Sequence, residues 1–448
     1  MKKYILLIMG LLTVAGFAFS QNPIIRDQFS ADPAARVFNG KIYLFPSHDI
    51  PTPPEKNLRE NWFCMEDYHA FSSENLVNWI DHGVIVRQNK VAWVDSTSYS
   101  MWAPDCVERN GKYYFYFPAN KKTDGTNERR GFGIGVAVAD KPEGPYNAQI
   151  EPIEGINGID PNILIDKNGQ AYIYWSMGNI FVAKLKENML ELASEPQIIS
   201  NLPANGLKEG PFVFERNGIY YLTFPHVENK TERLEYAMGD NPMGPFKMTG
   251  VIMDESPTGC WTNHHSMVEF KDQWYLFYHH NDYSPDFDKN RSVRIDSLFF
   301  NEDGTIQKVM PTLRGVGLTK ASDKIQIDRY SAISDKGAKV DFNNPENTFE
   351  GWKSVLSGKG TSIQYNTVGF NKKYKKVQIK AASDLGGTIE IRLDKVDGPV
   401  VAEVNIPAAT NWKTIDSKIS QIKPGNHHLF VVLKNKNPVE IDWIRFTD

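Results

Sequence analysis

The chain has 448 residues, more than one small domain needs, and two domains are expected. A net charge of −4, with 23% charged residues, leaves no basic field to hold nucleic acid or an anionic membrane surface. Aromatic residues make up 12%, a supply that suits either strand cores or the stacking of sugar rings.

The first predicted element is a leader. Lys2 and Lys3 precede an apolar run over 5–17, and Ala18, Phe19 and Ser20 form the cleavage site. Cleavage is expected after Ser20, with export to the periplasm or medium of a bacterium. The apolar run is shorter than the ~20 residues of a membrane span, so no membrane contact is expected once the leader is gone.

A short phrase then recurs five times: NGKIYLF from Asn39, NGKYYFYF from Asn110, NGQAYIYW from Asn168, NGIYYLTF from Asn217 and KDQWYLFY from Lys271. Each carries a tyrosine at the same place, namely Tyr43, Tyr114, Tyr172, Tyr221 and Tyr275. A hairpin turn followed by a β-rich run, repeating every ~50–70 residues, predicts a propeller with about four strands per blade. Five copies predict five blades over 21–317. The runs 133–139 and 234–239 fit third strands, and KPEGPYN and NPMGPFK fit the same outer turn in two blades.

A few residues ahead of each copy stand Asp32, Asp105, Asp160, Glu209 and His264. If the strand that carries them is the innermost of its blade, they converge on the central channel. Converging carboxylates are the apparatus of acid/base chemistry. The long stretch 47–94, with PTPPEKNLRENWFCMEDYH inside it, is expected to raise a rim that closes a groove into a pocket.

After a polar linker at 318–327, the pattern changes to short alternating strands, among them VQIKAAS, GGTIEIRLD and VEIDWIRF. Alternation with closely spaced turns predicts a β-sandwich, jelly-roll-like, over 328–448. The whole chain reads as all-β. Cys64, Cys106 and Cys260 lack metal-ligand spacing, and their odd count leaves at least one thiol free.

SADPAARVFNGKIYLF, MWAPDCVERNGKYYFY, GIDPNILIDKNGQAYIYWS, KEGPFVFERNGIYYLTF and TNHHSMVEFKDQWYLFYH, in this order, resemble glycoside hydrolase family 43. The resemblance implies a five-bladed propeller that cleaves glycosidic bonds with inversion. It assigns Asp32 as general base, Glu209 as general acid and Asp160 as the carboxylate that orients the acid and raises its pKa. Physical reasoning asks for the same set. An inverting hydrolase needs an ionised carboxylate to activate water, a protonated one for the leaving oxygen, and roughly 6.5–9.5 Å between them. A third anion beside the acid disfavours its ionisation.

By the same resemblance, Trp102 is a candidate wall of the sugar subsite, with a core tryptophan as the alternative. Arg291 matches an arginine that contacts the sugar, with Arg294 as its rival. His264 matches the channel histidine near which many members hold calcium through water, and His265 has the weaker claim. No cofactor is expected for the chemistry itself.

GGTIEIRLD, NWKTIDSKIS and VEIDWIRFTD resemble family 6 carbohydrate-binding modules. Trp412 keeps a ligand-loop tryptophan. Glu440, however, stands where an asparagine is usual, Ile415 replaces a second aromatic, and the calcium-holding segment reads QID at 326–328. Sugar binding and a purely bracing role both stay open for this domain. The expected function is exo-acting removal of α-L-arabinofuranosyl or β-D-xylosyl units from plant cell-wall polysaccharide or its oligosaccharides. The alternatives are an endo-acting arabinanase or xylanase, a galactan-directed hydrolase of the same family, and a non-catalytic sugar-binding propeller. A retaining fructan hydrolase would need WMNDP-like and RDP motifs, and neither is present.

Overall fold

The computed structural model describes residues 22–448 except 57, 124–130 and 348–349. The leader expected over 1–20 lies outside the described residues. Five antiparallel sheets follow one another along the chain, and in each the strands pair in sequence order. The first contains Ala31–Phe38, Lys41–Asp49, Met65–Ser73 and Ile80–Arg87. The next three begin at Asp105–Arg109, Ile159–Ile165 and Phe212–Arg216, and the fifth has three strands beginning at His265–Phe270.

The recurring Asn-Gly is the hairpin between first and second strands. In the first blade Asn39 has φ 50° and Gly40 φ 76°, the pair of positive angles that a two-residue hairpin turn matched to strand twist requires. The third blade uses a longer loop, in which Ile165 pairs with Ala171.

Alternation then sends apolar side chains to both faces of each blade, and every face meets a neighbour. Phe45 of the first blade packs in one cluster with Phe115 of the second. Further clusters join the second blade to the third, the third to the fourth, the fourth to the fifth, and the fifth back to Ala35 and Leu44 of the first. The ring is closed by hydrogen bonds as well. Ile24 N–H donates to Val293 O at 2.9 Å, and the Asn22 side chain bonds both the N–H and the O of Ile295.

The first strand of each blade is the innermost. Asp105 is spent there on structure: it pairs with Arg36 of the first blade and accepts from Ile163 N–H of the third at 2.7 Å. Asn162 continues the chain, donating to Asp105 and accepting from Val213 N–H of the fourth. Four blades are thus pinned at the axis by buried polar groups that satisfy one another.

Two sequence expectations are corrected here. Residues 65–87 are the third and fourth strands of the first blade, so only the stretch before Met65 forms a rim. The segment 318–327 is not a free linker. Thr319–Lys320 pairs with Ser362–Phe370 and Ile325–Gln326 with Val439–Thr447, one in each sheet of the sandwich, because Ala321, Ile325 and Ile327 are apolar and enter its core.

The sandwich has two six-stranded sheets. On its surface Glu440 is held by Lys353 at 3.0 Å, and Trp412 borders a cleft with Trp443 and with Tyr283 of the propeller. Among the described residues no helix is long and apolar enough to cross a membrane. The three cysteines are free and buried.

Candidate active site

Asp32 and Asp160 occupy equivalent places on the innermost strands of the first and third blades, and both have positive φ, 46° and 58°. Each precedes a proline, which disfavours anything but extended backbone, so the left-handed conformation is strained. In both blades the ladder also shifts register beside the aspartate. A bulge of this kind re-aims a side chain, here into the channel mouth. A serine on the adjoining second strand meets each carboxylate: Ser47 Oγ donates to Asp32 Oδ2 at 2.5 Å and Ser176 Oγ to Asp160 Oδ2 at 3.0 Å.

Glu209 lies just before the innermost strand of the fourth blade. The next residue, Gly210, has φ 51°, and a Cβ there would come within 2.9 Å of His264 Nδ1. Only glycine allows this turn to pass so close to the histidine. The Gly210 N–H donates to Asp160 Oδ2 at 2.9 Å, which fixes Asp160 beside the turn that carries Glu209.

Asp32, Asp160, Glu209, His264, Arg291 and Trp102 line one cavity of about 180 Å³. The structure therefore brings together every site residue read from the sequence. Trp102 is a wall of this cavity rather than a buried core residue. It packs on Phe132 with ring centroids 4.6 Å apart, and its indole N–H meets no protein acceptor among the described residues. Trp62 and Phe63 of the rim and Trp261 complete an apolar wall.

Arg291 is buried and forked between two carboxylates: Nη1 is 2.7 Å from Asp32 Oδ1, and Nη2 is 2.9 Å from Asp49 Oδ1. Its rival Arg294 pairs with Asp282 away from the cavity. His265 turns from the cavity to Thr223 Oγ1 at 2.6 Å.

Two functional carboxyls escaped the sequence reading. Asp49 closes the second strand of the first blade and holds Arg291. Glu232 heads the third strand of the fourth blade, is 1% exposed, and accepts from Asn263 N–H at 2.7 Å, with the Glu209 carboxyl as its neighbour.

The environments drive the carboxyls apart. Burial alone would raise Asp32, but the Arg291 guanidinium and the Ser47 hydroxyl overcome it and hold the group well below the usual range. Glu209 is pushed well above its ordinary value by burial and then by the adjoining Glu232. Asp160 rises to about 7, through burial and the charge of Glu209, and Glu232 to about 7 through burial. The ionised form is thus favoured at Asp32 and the protonated form at Glu209 in the same cavity, the combination that can activate a water and protonate a leaving oxygen.

By the resemblance, a calcium near His264 would be held mainly through water. Calcium takes six to eight oxygen ligands as a rule. Among the described residues no group of three metal-ligating side chains includes His264. His264 with water would hold such an ion, and no step is routed through a metal.

The model for "Glycosyl hydrolases family 43" matches residues 20–306, and that for "Carbohydrate binding module (family 6)" matches 334–448. A "Xylosidase/arabinosidase 43A" of Humicola insolens is 36% identical over 64% of this chain and 99% of its own. An "Arabinoxylan arabinofuranohydrolase" of Bacillus subtilis is 28% identical over 97% of this chain and 94% of its own. Among solved structures, a β-xylosidase/α-arabinofuranosidase of this family from a compost metagenome, in a calcium-free complex with xylotriose, superposes with TM-score 0.59 at 33% identity. It covers 65% of this chain and 98% of that one. With five closed blades and the carboxyls of opposite ionisation at their axis, the chain belongs to glycosyl hydrolase family 43 and is a glycoside hydrolase.

Proposed function

We propose that the enzyme removes single terminal β-D-xylosyl or α-L-arabinofuranosyl units from plant polysaccharides or their oligosaccharides, with inversion. Asp32 is the base that takes a proton from the attacking water. Glu209 protonates the departing glycosidic oxygen. Asp160 orients the acid through the Gly210 turn, and Arg291 keeps Asp32 ionised while facing the sugar. Trp102 stacks on the ring. No cofactor enters the reaction, and a channel calcium would take His264 and otherwise water.

The observation that carries this reading is that Asp32, paired with Arg291, and Glu209 line one cavity of about 180 Å³. Sites for drug-sized ligands run to ~300–1,000 Å³. This one suits a single sugar ring, which favours release of monosaccharide over cleavage inside a chain. The names of the relatives point to the same two pentoses. Export, read from the leader, would place the enzyme with its polymer.

The test is chromatography of the products from arabinan, arabinoxylan, xylo-oligosaccharides and arabinogalactan. Monomeric xylose or arabinose is expected, in the inverted anomer by rapid NMR. Oligomeric products would replace the proposal with an endo enzyme. Glu209→Gln should abolish turnover of these glycans while leaving binding intact.

A further inference from the structure

Three register shifts of the first blade converge on one spot. The ladder between its second and third strands slips between Ser47 and Asp49, and that between its third and fourth slips on either side of His69. The shifts bring His48 onto Asp67 and His69, so that one ligand atom from each lies within 4.8 Å of the others. His48 Nδ1 is 2.8 Å from Asp67 Oδ1, and the two imidazoles meet edge to face with centroids 5.2 Å apart.

The surroundings orient all three groups. Asp81 lies 3.0 Å from His69 Nδ1 through both its oxygens, and a carboxylate only accepts, so Nδ1 carries the proton and Nε2 presents its lone pair. A carboxylate behind an imidazole is the usual outer partner of a metal-ligating histidine. Arg87 Nη2 holds Asp67 Oδ2 at 2.8 Å, which leaves Oδ1 to face the histidines. The Asp67 side chain is 2% exposed, whereas those of His48 and His69 are 19% and 13% exposed. An ion can enter from solvent, and water can complete its shell.

We propose that His48, Asp67 and His69 form a binding site for a divalent transition-metal ion of the zinc class. Two imidazoles and one carboxylate suit zinc, nickel or copper, whereas calcium and magnesium prefer oxygen. Zinc holds such ligands at ~2.0–2.2 Å, which sets their mutual separation at ~3.4 Å. Side-chain rotation covers the difference. On binding, the His48 proton that faces Asp67 moves to Nε2, and the neutral ring gives its Nδ1 lone pair to the ion. His48 adjoins Asp49, the partner of Arg291, so an occupied site would stiffen the strand that ends at the cavity. The site stands on these residues alone and is separate from the His264 position.

The test is titration of the chelator-stripped enzyme with zinc chloride by calorimetry, with calcium chloride run beside it. One zinc equivalent is expected that calcium does not occupy. His69→Ala and His48→Ala should each remove it, Asp81→Asn should weaken it roughly tenfold or more, and His264→Ala should keep it. No zinc equivalent in the unaltered enzyme, or unchanged uptake by His48→Ala and His69→Ala, overturns the proposal. Zinc-soaked crystals of the unaltered enzyme give a readout that needs no variant. An anomalous peak between the three side chains supports the site, and its absence at saturating zinc refutes it. Sugar release is not the readout, so failure of the hydrolase reading would not affect this result.

Discussion

One guanidinium holds two aspartates: Arg291 reaches Asp32 Oδ1 at 2.7 Å and Asp49 Oδ1 at 2.9 Å, with all three side chains buried. The two anions do not share it equally. Asp32 also has the Ser47 hydroxyl and stays ionised, whereas burial lifts Asp49 above its ordinary value in spite of the contact. The base is thereby kept charged into acid solution.

Removing that cation should therefore raise the Asp32 pKa. In Arg291→Gln the acid limb of the kcat/KM profile is expected to move to higher pH, with a loss of roughly 100-fold or more at the optimum. Arg291→Lys should rescue little of it, because an ammonium cannot fork between two carboxylates. A pH–rate profile of both variants checks this, and an unmoved acid limb would refute the assignment.

Glu232 is a positioning residue acting through Glu209. Replacing it with Gln removes the neighbouring negative charge, so the acid should lose its proton more easily and the alkaline limb should move to lower pH. On the alkaline limb each unit of displacement costs about tenfold, while turnover at pH 5 stays near normal. A uniform loss at all pH values would instead mark a merely structural role.

The raised carboxyls also make stability depend on pH. Asp160 and Glu232 at about 7 and Asp296 at about 6 bind protons in the folded protein that an unfolded chain, with carboxyls near ~4, has released. The folded state binds more protons across this window, so its stability is full below ~4 and is lost as pH rises through 6 to 7. Asp32 works the other way, and only in acid. Melting followed from pH 4.5 to 8 should show a falling Tm, with a flatter slope in Asp160→Asn.

At the axis, Asp105 depends on Arg36 for its buried charge. Arg36→Met leaves that carboxylate unpaired between blades and should cost about 3–5 kcal/mol. Denaturant unfolding would measure it. Activity per folded molecule should persist, because neither residue lines the cavity.

The blades were legible because hairpin chemistry is local. Asn39-Gly40 and its repeats mark a turn that needs two positive φ angles, and the offset from each turn back to Asp32, Asp160 and Glu209 counts residues along one strand pair. The third and fourth strands of the first blade were read as part of an insertion because Met65–Ser73 and Ile80–Arg87 carry polar residues, several of them at the His48 cluster, which blur the alternation. The segment 318–327 looked like a linker because each of its strands is only two residues long.

By itself the sequence determined five blades, a second all-β domain and a channel series of Asp32, Asp105, Asp160 and Glu209, since each follows from spacing along the chain; the family resemblance then singled out three of the four. Only the tertiary structure decided what those carboxyls do. Asp32, Asp105 and Asp160 hold equivalent repeat positions, yet one is paired with Arg291, one with Arg36, and one is left in a cluster of carboxyls with Glu209 and Glu232. The partners come from other blades, far away in sequence, and charge state depends on burial and on the nearest charges in space.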